Sequence, residues 1–411
     1  MQAENIKMNI KTLSFGCRLN ALEAEKIQKM LSRHMDAAIV VNTCAVTHEA
    51  ERQSAQAIRK LGRENPNAPI FVTGCAATRN PELFAAIPNV TVIHNRDKMS
   101  LDAYLGNDAK KCPTPSIDKF EHAPSKLSKQ FVQVQNGCNH QCTYCVTRLL
   151  RGPAVSFEYK DILADVRAAV ENGFGEIVLT GIDIASYVRT RDGTPFLISD
   201  LCRALLADVA GIQRLRLSSM DPASPEIYKI IDLMNENPKM MRHMHLSMQS
   251  GSDTILAAMR RRHNAARIRD IATYARDVTF SWDIICGFPG ETDELFMETM
   301  ELIRATRPIK IHAFPFSPRP DTVAANMPDQ VARDISRRRV KVVTTSADEI
   351  RAEYMQTQIG RTVQVLVEEN NMARTPDDIS VKITGTPIPA RTICNVTISG
   401  IDGDTFVGAR A

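Results

Sequence analysis

The stretch QNGCNHQCTYC at residues 135–145 places Cys138, Cys142 and Cys145 at gaps of three and then two residues. Thiolates hold iron–sulfur clusters, and a [4Fe–4S] cluster has four iron corners. Three thiolates leave one iron open to bind something else. A structural zinc site is the alternative, but zinc is normally closed by four protein ligands. His140 sits inside the tight loop, where it could hardly bind beside its neighbours. The stretch also ends the first strand, QFVQVQ, of a series. EIVLTG, RLRLSS, HMHLSMQSG, FSWDIICGFPG and IKIHAFPFSP read as further strands, with helical stretches such as DILADVRAAVENG, SDTILAAMRRRH and DELFMETMELIRATR between them. Six strand–helix units predict a partial TIM-type (β/α)6 barrel, which keeps its site at the carboxyl ends of its strands.

Upstream, the strands IKTLSFGC, AAIVVNTCAV, APIFVTGCAA and VTVIHN alternate with the helical NALEAEKIQKMLSRH, THEAERQSAQAIRKLGREN and PELFAAI. Asn20 is the expected N-cap of the first helix. This order predicts an α/β domain of the doubly wound, parallel-sheet kind. Cys17, Cys44 and Cys75 each close one of its strands. Neighbouring carboxyl ends lie along one sheet edge, where such folds place their sites. A single free cysteine is ordinarily a small buried hydrophobe; three at the same point of three successive units form a site. Cys112, Cys202, Cys286 and Cys394 have no partner in sequence, and Cys286 is expected in the core.

Residues 109–129, AKKCPTPSIDKFEHAPSKLSK, read as a linker. A long helix is expected after Pro328, with a basic cluster at Arg337, Arg338, Arg339 and Lys341. Beyond it RTVQVLVEE, DISVKITG, ICNVTISGID and DTFVGA alternate at period two, as in a small all-β barrel. The domains expected are 1–118, 119–354 and 355–411. The 411 residues are 44% hydrophobic and 24% charged, with net charge +4, as in a globular protein compatible with a nucleic-acid partner. No apolar run is long enough for a bilayer, and MQAENIKMNIKT has no apolar signal core. Ten cysteines without an export signal point to metal or chemistry rather than disulfides, so a cytoplasmic protein is expected.

At GCNHQCTYC the chain resembles the radical SAM enzymes, whose three cysteines take this spacing with an aromatic residue, here Tyr144, before the last. The resemblance extends to the methylthiotransferases. FGCRLNALEAE, VVNTCAVTHEAERQSAQAIRK and VTGCAA resemble their N-terminal domain. LTGIDI, HLSMQSGSDTILAAMRRRH, DIICGFPGET and HAFPFSPRPDTVA resemble their radical SAM core, and GRTVQVLVEE resembles the start of their RNA-binding TRAM barrel. NTCAVTHEAERQSAQAIRK and RLRLSSMDP are most similar to the branch that modifies N6-threonylcarbamoyladenosine at position 37 of tRNA. Other branches act on isopentenyladenosine in tRNA or on a ribosomal-protein aspartate. A zinc-containing RNA-binding protein is the non-enzyme alternative.

The resemblance implies two [4Fe–4S] clusters and S-adenosyl-L-methionine (SAM). Cys138, Cys142 and Cys145 would hold the SAM-cleaving cluster, and Cys17, Cys44 and Cys75 an auxiliary one where sulfur is delivered. It also implies a tRNA anticodon loop as substrate, an electron donor such as flavodoxin or ferredoxin, and no membrane partner. Tyr144 would lie against the SAM adenine, and Thr180 and Gly181 near its amino group. Ser247 and Gln249 would line the same end of the barrel. Arg262 would meet the SAM carboxylate, since a guanidinium matches its two oxygens. Where the family often carries an aromatic stretch, the chain reads ARTPDDISV, with Asp377 and Asp378. RNA contact there is therefore expected through charge, at Arg361, Arg374, Lys382 and Arg391. His263 stands where the family has a tyrosine.

Overall fold

The computed structural model of the chain describes residues 9–45, 48–106 and 128–411. Cys112 and most of the 109–129 linker lie outside them. The chain forms two compact units. The first comprises residues 1–118 together with 136–140 and 145–154; the second holds the remainder.

In the first unit β1 (Asn9–Ser14), β2 (Ala37–Thr43), β3 (Ile70–Gly74) and β4 (Val90–Val92) pair in that order, all parallel. Between them run α1 (Arg18–Leu31), α2 (His48–Glu64), α3 (Cys75–Arg79) and α4 (Pro81–Ala85). The later helices α5 (Asp102–Leu105) and α6 (Thr147–Arg151) complete the unit. Successive strand residues point to opposite faces. Ile39, Val41, Ile70 and Val72 pack with Ile58 and Phe84 on one face. Val40 and Phe71 pack with Ile27, Leu31 and Tyr104 on the other. Covering both faces is what makes the β2 and β3 runs continuously apolar, and it confirms the doubly wound reading. Cys17, rather than Asn20, occupies the N-cap of α1. Asn20 lies inside the first turn because its amide is taken by Phe15 O at 2.9 Å and Thr43 O at 3.0 Å.

The second unit contains β5 (Gln130–Gln133), and the two-residue strands β6 (Gln135–Asn136) and β7 (Val155–Ser156) flank the cysteine loop. Then come α7 (Tyr159–Glu171), β8 (Glu176–Thr180), the hairpin β9 (Val188–Arg191) and β10 (Thr194–Leu197), α8 (Ile198–Asp208), β11 (Arg214–Leu217) and α9 (Glu226–Glu236). β12 (His243–Gln249), α10 (Asp253–Ala258), α11 (Ala265–Tyr274), β13 (Thr279–Cys286), α12 (Asp293–Thr306) and β14 (Lys310–Pro315) follow. Parallel pairing runs β5-β8-β11 and β12-β13-β14. Bridges Leu215–Met240 and Met220–Leu246 join the halves into one six-stranded partial barrel. Alternate residues sort by side. Ile177, Leu179, Leu215, Met244, Leu246, Phe280, Trp282 and Ile284 pack in the core shared with the helices. The opposite parity, including Glu176, Arg214, Arg216, His243, His245, Ser281 and Asp283, faces the lumen.

Helix α13 (Arg333–Gln356) leads to a closed barrel, β15 (Thr362–Val367), β16 (Met372–Arg374), β17 (Ser380–Thr384), β19 (Thr405–Arg410) and β18 (Ile393–Asp402), ordered β15-β16-β17-β19-β18. Its interior is Val365, Val367, Ala373, Val381, Ile383, Val396, Ile398 and Phe406. The sequence reading missed the β9–β10 hairpin and β16. Both are too short and polar for a period-two signal. The SDTILAAMRRRH helix stops early: Met259 caps α10, and Arg260 turns left-handed at φ 54°.

Candidate functional site

The first unit brings the three strand-end cysteines to one sheet edge. Cys17 follows β1, Cys44 follows β2 and Cys75 opens α3 after β3, three adjacent strands. Two glycines allow the loops to close. Gly16 has φ +85°, and a Cβ there would overlap Cys44 Cβ and Sγ. Gly74 has φ +97°, and a Cβ would overlap the Thr43 backbone. Thr43 Oγ1 locks the same edge, donating to Thr73 O at 2.7 Å and accepting from Ala77 N at 3.0 Å.

Beneath this edge lies a buried charge cluster. Arg151 Nη1 donates to Glu23 Oε1 at 2.9 Å, and Lys98 Nζ donates to Glu23 Oε2 at 2.6 Å. Burial opposes the Glu23 carboxylate, but Arg151 and Lys98 overcome it and hold the carboxyl below its ordinary value. Asn95 joins the cluster to the sulfur: its Oδ1 accepts from Lys98 at 2.9 Å, and its Nδ2 lies 3.5 Å from Cys75 Sγ. Arg151 keeps its charge beside the cysteines, drawn by Glu23, Cys75 and Cys17 against the effect of burial, whereas burial lowers Lys98 below its ordinary value although Glu23 and Cys75 attract its proton. That environment suits a set of thiolates, so the residues fit an iron–sulfur ligand set. The sequence reading missed Glu23, Asn95, Lys98 and Arg151. Arg151, six residues past Cys145, carried the nearest signal.

Each sulfur of the 138–145 loop also receives an N–H donor. Within the first unit His140 N lies 3.4 Å from Cys138 Sγ, and Thr147 N lies 3.4 Å from Cys145 Sγ. Within the second, Arg261 Nη1 lies 3.5 Å from Cys142 Sγ. Sulfurs supported this way suit cluster ligation, where hydrogen bonds to sulfur tune the potential. Arg261 was overlooked in favour of Arg262. The Arg261 side chain is only 6% exposed, and its Nη2 also donates to Ser247 O at 2.9 Å and Asp221 Oδ1 at 3.2 Å. Arg262 is 57% exposed and donates to Asp221 Oδ2 at 3.2 Å. Arg261→Met is expected to shift the cluster potential downward in an EPR-monitored titration, and to cost about 10–100-fold in cluster retention or activity.

The remaining expected SAM contacts are placed as follows. Tyr144 meets Phe288 edge-on at 6.4 Å, within a small cluster that includes Phe316. Thr180 ends β8, and Gly181 packs against Gln135, whose Oε1 accepts from Ile182 N at 3.0 Å and Asp183 N at 2.8 Å. Gln249 ends β12 with φ 74°. His263 lies buried with Nε2 3.1 Å from Met248 O.

Two buried histidines are held neutral. Burial and Arg261 push His263 down to about 4, and burial and Arg216 push His243 down to about 3, from 6.5. The unfolded chain takes up both protons below pH 6.5, whereas the fold resists them until pH 3–4. Stability is therefore full above pH 6.5 and falls as pH drops from 6.5 towards 4, by up to about 2.7 kcal/mol per pH unit for two protons. Urea midpoints at pH 7 and 5 check this, and His263→Asn should roughly halve the slope.

Of the four basic residues in the C-terminal barrel, Arg361 and Lys382 are exposed. Arg374 is held by Glu368 at 3.3 Å and Asp378 O at 3.3 Å. The Arg391 guanidinium lies 3.9 Å over the Phe174 ring and donates to Asn172 O at 3.3 Å. Arg214 ties this barrel to the larger one, donating to Gln364 O at 2.5 Å and Arg374 O at 3.2 Å.

A partial (β/α)6 barrel with three cysteines in one loop after its first strand is the arrangement of a radical SAM enzyme, and residues 132–303 match the radical SAM superfamily. Residues 7–94 match the family described as "Uncharacterized protein family UPF0004". The chain is 38% identical over 391 residues, 92% of each chain, to "Threonylcarbamoyladenosine tRNA methylthiotransferase MtaB" of Rickettsia prowazekii (strain Madrid E). It is 31% identical to "tRNA-2-methylthio-N(6)-dimethylallyladenosine synthase" of Corynebacterium diphtheriae, covering 96% of this chain and 82% of the relative. The chain belongs to the methylthiotransferase family of radical SAM enzymes. In fold it resembles the cobalamin-containing radical SAM methyltransferase TsrM from Kitasatospora setae, with TM-score 0.58, 12% identity and 77% of each chain covered. No helix among the described residues is long and apolar enough to cross a membrane.

Proposed function

We propose that the protein methylthiolates C2 of N6-threonylcarbamoyladenosine at position 37 of tRNA, using SAM and two [4Fe–4S] clusters. The observation that carries this reading is the 38% identity, over 92% of both chains, to a relative named for that nucleoside. Three domains divide the work: 1–118 the auxiliary cluster, 119–354 the radical chemistry, and 355–411 contact with RNA. Cys138, Cys142 and Cys145 would hold one cluster and Cys17, Cys44 and Cys75 the other. The clusters supply the electron that cleaves SAM and an open iron that presents sulfur.

The chain's own residues do the rest. Arg261 steadies Cys142 and draws Ser247 toward the same end of the barrel. Tyr144, Thr180, Gly181, Ser247, Gln249 and Arg262 form the SAM-binding rim. Arg151 and Lys98 offset the charge of the second thiolate set. Arg361 and Lys382 face solvent and suit RNA phosphates. The work is cytoplasmic, with a flavodoxin- or ferredoxin-type reductant.

Nucleoside analysis of tRNA from a strain lacking the gene tests the reading. The methylthio group of threonylcarbamoyladenosine should vanish while that of isopentenyladenosine stays. Retention of the former overturns the substrate, and loss of the latter moves the protein to the other tRNA branch.

A further inference from the structure

A continuous row of hydrogen-bonding side chains runs along β12 and β13 from the lumen to the C-terminal barrel. Asp283 Oδ2 lies 2.9 Å from His245 Nε2. His245 Nδ1 lies 2.7 Å from Ser281 Oγ, which lies 3.0 Å from His243 Nε2. His243 Nδ1 lies 2.8 Å from Thr279 Oγ1, and Thr279 Oγ1 is 3.1 Å from Asp377 Oδ1. Tyr354 OH closes the row on Asp377 Oδ2 at 2.8 Å. The other acceptor near Thr279, Arg242 O, is longer at 3.3 Å.

The donors in this row cannot be assigned independently. With Asp377 ionised, Thr279 donates to it and accepts from His243 Nδ1–H. His243 Nε2 then accepts from Ser281, whose oxygen accepts from His245 Nδ1–H. Only a second proton, on His245 Nε2, then completes the bond to the Asp283 carboxylate. In the reverse arrangement Asp377 is the acid and donates to Thr279, Thr279 donates to His243 Nδ1, and His243 Nε2–H donates to Ser281. Ser281 then donates to His245 Nδ1, and His245 keeps one proton, on Nε2. Both arrangements hold the same number of protons and differ by one concerted shift along the row.

We propose that this row is a proton relay, in which the His245–Asp283 pair is the acid–base group of the barrel lumen and Asp377 of the C-terminal barrel stores its proton. The lumen end is reachable, since the side chains of His245 and Asp283 are 21% and 27% exposed. The storage end lies against the docked barrel, where Thr279, Tyr354 and Asp377 are each half-buried. Burial raises Asp377 above its ordinary value, towards the acid form. His243, kept neutral by burial and by Arg216, passes a proton rather than holding one. The charged groups facing the row are Arg214 and Arg216 from β11, Asp378 beside Asp377, and Lys310 from β14. His312 of β14 lies beside His245, with ring centroids 5.4 Å apart.

The test reads ring nitrogens rather than turnover, so it stands apart from the substrate assignment. Holoenzyme labelled with 15N-histidine is followed by long-range 1H–15N correlation as pH is varied. The Nδ1–H forms of His243 and His245 are expected to appear and disappear together. Asp377→Asn, whose amide presents N–H to Thr279 as the acid form does, should fix both rings in the Nε2–H form. Thr279→Val should do the same by removing the partner of His243 Nδ1, and it carries the test if the first variant does not fold. Adding Ser281→Ala should release His245 from either effect. Independent titration of the two rings in the wild type overturns the relay. So does a His245 spectrum that Asp377→Asn and Thr279→Val leave unchanged.

Discussion

The Cys44→Ala protein is expected to cleave SAM to 5′-deoxyadenosine and to yield no methylthiolated RNA, whereas the Cys142→Ala protein cleaves none. In the proposed division of labour the two thiols serve different clusters, so each substitution removes one function. Cys44 is buried, and Gly16 closes directly on its Cβ and Sγ. Alanine is smaller than the space it inherits. The Asn20–Thr43 and Thr43–Thr73 hydrogen bonds that hold the edge do not use the sulfur. The sheet should therefore stand while the ligand set is lost. Anaerobic iron analysis should fall from about eight irons per chain to about four in either variant. A Cys44→Ala enzyme that still forms methylthio product would end the two-cluster division of labour.

The Glu23→Gln protein is expected to lose about 3–5 kcal/mol of stability in the first unit, because the change leaves Arg151 and Lys98 buried side by side without their shared carboxylate. Differential scanning calorimetry against the wild type measures it. The sign with pH follows from the depressed carboxyl: its contribution is present above the ordinary value of 4.5 and is lost as pH falls below that. The gap between variant and wild type should hold at pH 7 and narrow below pH 4.5. Replacing Glu23, Lys98 and Arg151 together with apolar residues of similar size should restore much of the stability. It should not restore cluster retention, since the positive charge beside Cys75 goes with them. A Glu23→Gln protein as stable as the wild type would show that the cluster is not held by its carboxylate.

The six barrel strands could be read from the chain because each opens a strand–helix unit, and the meeting of Cys17, Cys44 and Cys75 at one edge because each closes one of three adjacent strands. Ile39, Val40 and Val41, with Ile70, Phe71 and Val72, announced a sheet covered on both sides. The partners of the cysteines could not be read in the same way. Glu23 lies on a helix whose other inward residues, Asn20 apart, are apolar, and only the fold brings it to Lys98 and Arg151. Choosing between Arg261 and Arg262 needed the end of α10: past the left-handed Arg260 the Arg261 side chain turns inward and Arg262 stays at the surface. Asp377 and Asp378 stood in the sequence where the family often carries an aromatic stretch. In the structure they are docking groups, Asp377 for Tyr354 and Thr279, and Asp378 for Lys129 at 3.0 Å.

That docking bears on how the protein behaves during purification. Glu176, Arg214 and Arg216 are buried where the two barrels of the second unit meet, and screening there is weak. Binding of RNA to exposed lysines and arginines, by contrast, weakens steeply as counterions compete. A high-salt wash should therefore strip bound tRNA from the enzyme while leaving the small barrel seated on the large one.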